Sequence, residues 1–518
     1  MERPTTVQRK NILFIMADQM AAPLMPFYQP SPVKMPHLSR LAEGAVVFES
    51  AYCNSPLCAP SRFTLMSGQL PSKIGAYDNA ADFPGDIPTY AHYLRRLGYH
   101  TALSGKMHFC GPDQLHGFEE RLTSDIYPAD YGWSVNWDEP DTRPSWYHNM
   151  ASVLQAGPCV RTNQLDFDDE VVFKARQYLY DHVRKGDDQP FCLTVSMTHP
   201  HDPYTIPEAY WNRYEDSDIP MPRYVPPHAD QDAQSTRLMK VYDLWDKPLP
   251  EEKIRDARRA YFGACSYIDD QVGKLLEVLE QTGLLDDTVI VFSGDHGDML
   301  GERGLWYKMH WFEMAARVPL LVWAPGQFNP SRVAASVSTA DLLPTLVALA
   351  GGAPQAGLPL DGRSLMPHLQ GLGGHDEVFG EYMAEGTVSP VMMIRRGDYK
   401  LIYSEAEPCL FFDVRNDPEE RENLADSPDH AEVFAQFMAD ARAKWDIPTI
   451  HRQVLASQRR RRVVGQALAM GKLKSWDHQP LVDASQQYMR NHIDLDDLER
   501  KARFPQPCQL NQNQGGRP

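Results

Sequence analysis

Four short apolar runs in this chain each end in ionisable side chains, and that repetition constrains the fold more than any other feature. Asn11 to Ala17 leads into Asp18 and Gln19. Thr101 to Ser104 leads into Gly105-Lys106-Met107-His108, Phe191 to Met197 into Thr198-His199-Pro200-His201-Asp202-Pro203, and Thr288 to Ser293 into Gly294-Asp295-His296-Gly297-Asp298. Continuous apolar runs bounded in this way are the pattern of strands buried on both faces, as in a parallel sheet. In open α/β sheets ligands bind at the carboxyl ends of the strands. The pattern predicts an α/β fold: a large mixed, mostly parallel sheet sandwiched by helices, with chemistry carried at several strand ends.

The rest of the chain supplies helices and a second, different texture. His37 to Phe48 carries Leu38, Leu41, Ala45 and Phe48 at helical spacing, Thr89 to Leu97 reads as another amphipathic helix, and Arg255 to Thr282 as a long one with Gly283 past its end. Residues 202–250 are rich in Pro, Asp and Tyr with little periodicity, which predicts a long excursion over the surface. After a helix over Asp341 to Ala350, the alternation in Val391–Ile394 and Tyr399–Tyr403 around Arg396-Gly397-Asp398, followed by Leu410–Val414, predicts antiparallel strands. With 518 residues the chain exceeds one simple core. The expected division is a catalytic α/β domain over 1–375, a small antiparallel α+β subdomain over 376–446, and a polar helical tail over 447–518 that docks on its own domain or on a neighbouring subunit.

Charge and cysteine usage exclude some functions. A net charge of -18 argues against nucleic acid as a partner, and the basic run Arg459-Arg460-Arg461-Arg462 reads as a solvated or interface face. An anionic ligand would need its own local positive charge. No apolar run is long enough to cross a bilayer, and Met1 to Lys10 lacks the apolar stretch of a secretory signal. The eight cysteines (Cys53, Cys58, Cys110, Cys159, Cys192, Cys265, Cys409, Cys508) show no CxxC pair, as fits free thiols in a reducing compartment. The expected location is the cytoplasm, with no membrane partner.

The segment Cys58-Ala59-Pro60-Ser61-Arg62 lies between Asn54-Ser55-Pro56-Leu57 and Phe63 to Gly68. Pro60 suits the first turn of a helix and Gly68 its far end, so Cys58 is expected at a helix N-terminus, where anions bind, with Arg62 one turn on. Taken singly, Cys58 reads as a buried structural cysteine, Asp18 as a loop residue, Asp295 and Asp298 as turn formers and His296 as a satisfied histidine. Together they have no simple structural explanation, because carboxylates at neighbouring strand ends repel unless a cation lies between them. Asp18, Asp295 and the Gln19 amide oxygen are hard ligands suited to Ca²⁺, Mg²⁺ or Mn²⁺, and one imidazole from His296 can complete the shell. Arg62, Lys106, His108, His201 and Lys308 would supply positive charge and proton transfer to an anionic ester bound to that metal.

From Asn11 to Pro319 these motifs, with Lys308 ahead of Arg317-Val318-Pro319, resemble the type I sulfatases of the alkaline-phosphatase-like superfamily, whose Cys-x-Pro-x-Arg cysteine is oxidised to formylglycine. Pro112 to Leu122, Asp125 to Asp130, Thr198 to Tyr204, Asp477-His478-Gln479-Pro480 and Tyr488 to His492 resemble the choline sulfatase branch, tail included. The resemblance implies one divalent metal, Ca²⁺ foremost, on Asp18, Asp295, His296 and the formylglycine oxygen at position 58. It further implies a sulfate held by Arg62, Lys106 and Lys308, His108 orienting the formylglycine, and His201 beside the leaving oxygen. A formylglycine-generating enzyme would act in maturation. Two positions depart from many sulfatases, which carry Asp at Gln19 and Asn at His296. Phosphonate monoester hydrolases also carry His at the latter, which keeps a phosphonate or phosphodiester substrate open, as does a small-anion binding protein with unmodified Cys58.

The implied reaction is attack of a hydrated formylglycine hydroxyl on sulfur, with His201 or Lys308 protonating the departing alkoxide and His108 taking the second hydroxyl's proton. The implied substrate is a sulfate monoester, choline sulfate. A trimethylammonium group donates no strong hydrogen bond, so aromatic faces and a carboxylate must select it. The candidates are Tyr131, Trp133, Trp146, Tyr147 and His148, with Glu385 as the carboxylate and the tail around Asp496 as the second choice. The resemblance also implies a homo-oligomer, dimer or tetramer, in which the tail reaches a neighbour's site.

Overall fold

The computed structural model describes residues 9–504 apart from 141, 187, 473, 474, 491 and 492, and of Gln486 the backbone alone. Cys508, Asn491 and His492 lie outside the described residues, as does most of the Met1 to Lys10 segment. In chain order the strands are β1 (Asn11–Asp18), β2 (Val46–Tyr52), β3 (His100–Gly105), β4 (Glu120–Arg121), β5 (Gly157–Cys159), β6 (Phe191–Pro200), β7 (Thr205–Pro207), β8 (Thr288–Gly294), β9 (Leu320–Trp323), β10 (Ser331–Ser338), β11 (Glu377–Tyr382), β12 (Val391–Arg396), β13 (Tyr399–Tyr403) and β14 (Leu410–Asp413).

Eight strands form one sheet in the order β10-β2-β9-β8-β1-β6-β3-β4. β9 runs antiparallel to β2 and β8, and the other pairs are parallel. Every residue of β1, β6 and β8 is buried, so the predicted apolar runs are covered on both faces. Phe14 of β1 stands beside Thr194 of β6 in register, and both meet Tyr90, through a ring contact and a 2.8 Å hydrogen bond. One residue further in register, Ser104 of β3 donates to the Val171 carbonyl, in the helix Asn163–Lys185. Successive strand residues point to opposite faces, so helices cover the sheet on both sides. β1 lies between β8 and β6, which brings Asp18, Asp295 and His201 to one edge of the sheet.

Two expectations are corrected. The helix expected over His37 to Phe48 ends at Glu43, with Gly44 as its cap, and Val46–Tyr52 is β2; the Val46-Val47-Phe48 run is β-branched and aromatic, which favours a strand. Residues 202–250 are not a plain surface excursion. They hold β7, the helices Glu208–Trp211 and Ala233–Val241, and buried Tyr204, Tyr214, Leu238 and Tyr242. The long helix begins at Glu251 and ends at Thr282, with Gly283 left-handed at φ 73° as its cap. Left-handed backbone is the conformation in which glycine costs least.

β11 to β14 form an antiparallel sheet in sequence order. It is fastened to the main sheet's neighbourhood by Glu381 N donating to the Asn54 carbonyl at 2.9 Å and by Trp311, whose Nε1 donates to the Val391 carbonyl at 3.1 Å. Trp311 is fully buried, and a Cβ at Gly380 would lie 2.3 Å from its ring. Burial of one such side chain is worth roughly 3 kcal/mol. The tail helix Ile447–Leu468 docks on its own chain through Ile447, Ile450 and Val454. Of the run read as a solvated or interface face, Arg461 is buried and paired with Asp78, whereas Arg459 and Arg462 pair with Asp138.

Candidate active site

Cys58 opens the helix Cys58–Ser67, with extended Leu57 as its N-cap and left-handed Gly68 at its end, and all ten helical residues are buried. Pro60 sits in the first turn, where a missing N–H costs little. The Ala59 N–H donates to Asn79 Oδ1 at 3.0 Å. Asn79, in a Tyr77-Asp78-Asn79 turn, thus caps the helix that carries Cys58.

Asp18, Cys58, Asp295 and His296 converge with ligand-type atoms all within 4.8 Å of one another, and all four are buried. Cys58 Sγ lies 3.1 Å from His296 Nε2 and 3.8 Å from Asp18 Oδ1, and His296 Nε2 lies 3.8 Å from Asp295 Oδ2. Burial opposes ionisation of the Cys58 thiol, but the positive charge of Lys106, Lys308 and His296 and the nearby His108 bring it well below the usual thiol range. Burial and the Cys58 charge push Asp18 up, yet Lys106, His201 and Arg62 hold it below the usual carboxylate range. Burial lowers His296, and Asp295 and Cys58 more than reverse that. Two carboxylates, a sulfur and an imidazole in so small a volume could hold a divalent cation.

The cations sit on two sides of this cluster. Arg62 faces the carboxylates: Nε is 2.8 Å from Asp295 Oδ2, Nη2 is 3.3 Å from Asp18 Oδ2, and Nη1 donates to the Lys106 carbonyl and Ser196 Oγ. Lys106 Nζ pairs with Asp18 Oδ2 and lies 4.4 Å above the Tyr127 ring. Neither lines the adjoining cavity, and both direct their charge at the buried carboxylates, which need counter-charge. On the cavity side, Lys308 Nζ is 2.6 Å from Gln19 Oε1 and 2.7 Å from His201 Nε2, while His201 Nδ1 contacts the Asp202 carbonyl at 2.7 Å. Gln19 therefore spends one lone pair of its amide oxygen on Lys308. His108 is buried, with neither ring nitrogen in a regular hydrogen bond, and burial lowers its basicity.

The cavity has a volume of about 290 Å³ and reaches from Cys58, His201 and Lys308 to Trp133, Trp146 and Glu385. Trp133 stands edge-on to His108 and Tyr127, with centroids 5.7 and 5.1 Å away. Tyr147 packs against Trp146 at 4.5 Å. Glu385, beyond β11, is 3% exposed; its Oε2 has no hydrogen-bond partner, and the nearby His148 Nδ1 stands 3.6 Å away. Asp496 is exposed on the helix Leu495–Ala502 and does not line the cavity of this chain.

Sequence reasoning singled out neither Asn79 nor Tyr127 as site residues; Asn79 carries no signal beyond its place in a loop, and Tyr127 only its place inside a family motif. Asp125 was legible only inside a family motif. It accepts from Met107 N and His108 N, each at 2.9 Å, and from Arg121, and so holds the Lys106–His108 strap.

Comparison with known proteins agrees with this geometry. The family described as Sulfatase matches residues 10–353, and the one described as Choline sulfatase enzyme C terminal matches residues 452–504. The chain is 48% identical over 510 residues to the choline-sulfatase of Rhizobium meliloti (strain 1021), covering 96% of this chain and 99% of that one. It is 27% identical over 453 residues to an arylsulfatase of Clostridium perfringens, covering 82% of this chain and 92% of that one. Among solved structures, the phosphonate monoester hydrolase of Agrobacterium radiobacter shares the fold at a TM-score of 0.68 and 23% identity, over 86% of this chain and 96% of that one. The chain belongs to the sulfatase family and is a sulfuric ester hydrolase.

Proposed function

We propose that the enzyme hydrolyses choline O-sulfate to choline and sulfate. The observation that carries this reading is a buried Glu385, whose Oε2 makes no hydrogen bond, among aromatic side chains and in the same cavity as Cys58, His201 and Lys308. A carboxylate oxygen free of hydrogen bonds beside aromatic faces suits a cation that cannot donate one. The substrate's sulfate end would meet Lys308 and His201 while its trimethylammonium end lies toward Trp133, Trp146, Tyr147, His148 and Glu385.

Asp18, Asp295, His296 and residue 58 fit one divalent cation, Ca²⁺ foremost among hard cations, and the Gln19 amide oxygen keeps a second lone pair. With residue 58 oxidised to formylglycine and hydrated, that pair of groups supplies a nucleophilic oxygen of lowered pKa at neutral pH. Lys308 and His201 share a short contact and line the cavity, so either can hold the proton that the departing alkoxide oxygen needs. His108, whose basicity burial lowers, can take up a proton as sulfate leaves. Cys58 is 1% exposed in a fully buried helix, so a formylglycine-generating enzyme must reach it before the chain folds.

The same reading includes a cytoplasmic enzyme, the division at about residues 375 and 446, and a homo-oligomer. The seven described cysteines are free, and no described helix is long and apolar enough to cross a membrane. The test is an equimolar competition between choline sulfate and a phosphonate monoester, with the mass of the Cys58 peptide measured on the same sample. Preferred sulfate release from protein carrying formylglycine supports the reading. Preferred phosphonate cleavage, or full turnover with unmodified Cys58, overturns it.

A further inference from the structure

We propose that Asp298 is the positioning residue of Lys308, acting through the Gln19 side chain and the Tyr307 backbone. The inference rests on the reading of Lys308 as the group beside the leaving oxygen. Asp298 is fully buried and touches no cavity surface. Its Oδ2 accepts from Gln19 Nε2 at 2.7 Å and Tyr204 Oη at 2.8 Å, and its Oδ1 accepts from Leu300 N at 3.0 Å and Tyr307 N at 3.1 Å. Three of those four partners can only donate.

The Gln19 amide is nearly symmetric in shape, so which end faces Lys308 must be set by its neighbours. With its NH₂ committed to Asp298, the oxygen is left to accept from Lys308 Nζ at 2.6 Å. The Gln19 backbone is fixed as well: its N–H donates to Asp295 Oδ1 and its carbonyl accepts from Tyr261 Oη. The other oxygen of Asp298 holds the residue directly before Lys308. Leu300, Tyr307 and Met309 are left-handed non-glycine residues, at φ 47°, 64° and 78°, conformations that persist where surrounding contacts over-determine them. One carboxylate thus fixes both the acceptor that Lys308 meets and the loop that presents Lys308.

Asp298→Asn keeps the shape but has one acceptor and one donor. Whichever way the amide turns, one pair of donors loses its acceptor, and with NH₂ toward Gln19 the Gln19 amide must turn its own NH₂ to Lys308. The decisive readout is the dependence of kcat/KM on leaving-group pKa across alkyl and aryl sulfates. A misplaced Lys308 hurts poor leaving groups most, whereas general loss of packing lowers all substrates alike. We expect Asp298→Asn and Gln19→Met to lose about tenfold to a hundredfold on choline sulfate and less than about threefold on 4-nitrophenyl sulfate. Adding Gln19→Glu to Asp298→Asn gives Lys308 an acceptor oxygen again and should flatten the dependence. Gln19→Met leaves Asp298 intact and serves if Asp298→Asn fails to fold. If Lys308→Ala steepens the dependence while both single variants run parallel to wild type, the positioning role is overturned and the reading of Lys308 stands. If Lys308→Ala does not steepen it, both fall.

Discussion

Arg461 and Asp78 form a bidentate pair, with Nη1 2.6 Å from Oδ1 and Nη2 2.8 Å from Oδ2, and it ties the tail helix to the turn that caps the Cys58 helix. Asp78 Oδ1 also accepts from Ala80 N, and the adjacent Asn79 holds the Ala59 N–H. Arg461 further donates to Ser134 Oγ, beside Trp133. A segment that looks peripheral in sequence therefore buttresses both ends of the cavity.

Arg461→Ala should leave Asp78 buried without its partner, at a cost of about 3–5 kcal/mol. Denaturant unfolding measures it. The double variant Arg461→Gln/Asp78→Asn, which removes both charges, should cost less than Arg461→Ala. Equal or larger loss in the double variant would show that packing, not the pair, holds this contact.

The four strand-end clusters were legible because burial on both faces writes a continuous apolar run, and the run's end marks the sheet edge. The pairing of Arg461 with Asp78 was not, because nothing in a basic run says which side chain turns inward. Likewise the residue types at Arg62 and Lys106 announce positive charge near an anion, but only the geometry shows that charge directed at Asp18 and Asp295. The helix misread over His37 to Phe48 has a simple origin: Leu38 and Leu41 are truly helical, and Ala45 and Phe48 continue the spacing by chance into β2. Glu385 was legible by its place after β11, whereas Asp298 had only the signature of a turn former.

Stability should fall in acid through Glu313. Lys400 Nζ lies 2.9 Å from Glu313 Oε1 and 2.5 Å from Glu420 Oε1, with all three buried. Burial pushes Glu313 up, but Lys400, Arg317 and Arg395 hold it at about 2, from 4.5. A depressed carboxyl contributes stability that is present above its unfolded pKa and lost as pH falls through the folded one. Thermal midpoints should therefore drop between pH 4.5 and 2, and Glu313→Gln should show a shallower drop across that window. An identical pH profile would remove Glu313 from the account.

Loss of the carboxylate at the cluster's centre should abolish metal binding and turnover together. Asp295 is also tied to Arg62 and Gln19, so Asp295→Asn, which keeps the shape, is the better variant. Metal content per subunit should fall below about one tenth and kcat by more than about a hundredfold. Chelated wild-type enzyme that retained full rate would contradict the metal assignment.

Truncation after Asp477 should weaken self-association. Residues beyond it expose Leu481, Val482, Tyr488, Met489 and Leu495, an apolar series that a second copy would cover. Light scattering should show a smaller species for the truncated chain. Asp477 itself accepts from Ala129 N at 2.8 Å and should be retained.

Glu385→Gln removes the charge and keeps the shape. KM for choline sulfate should rise by about thirtyfold, from the roughly 2 kcal/mol that a desolvated cation site supplies, with kcat little changed. The comparison is KM on an uncharged alkyl sulfate, which should not move.

The measurement that tests the central claim most directly compares choline sulfate with 3,3-dimethylbutyl sulfate, in which carbon replaces the quaternary nitrogen. The two share shape and leaving-group class and differ in the positive charge that Glu385 and the surrounding aromatic rings are taken to select. Choline sulfate should show kcat/KM at least about thirtyfold higher, the ratio that roughly 2 kcal/mol sets. Equal values on the two esters would contradict it.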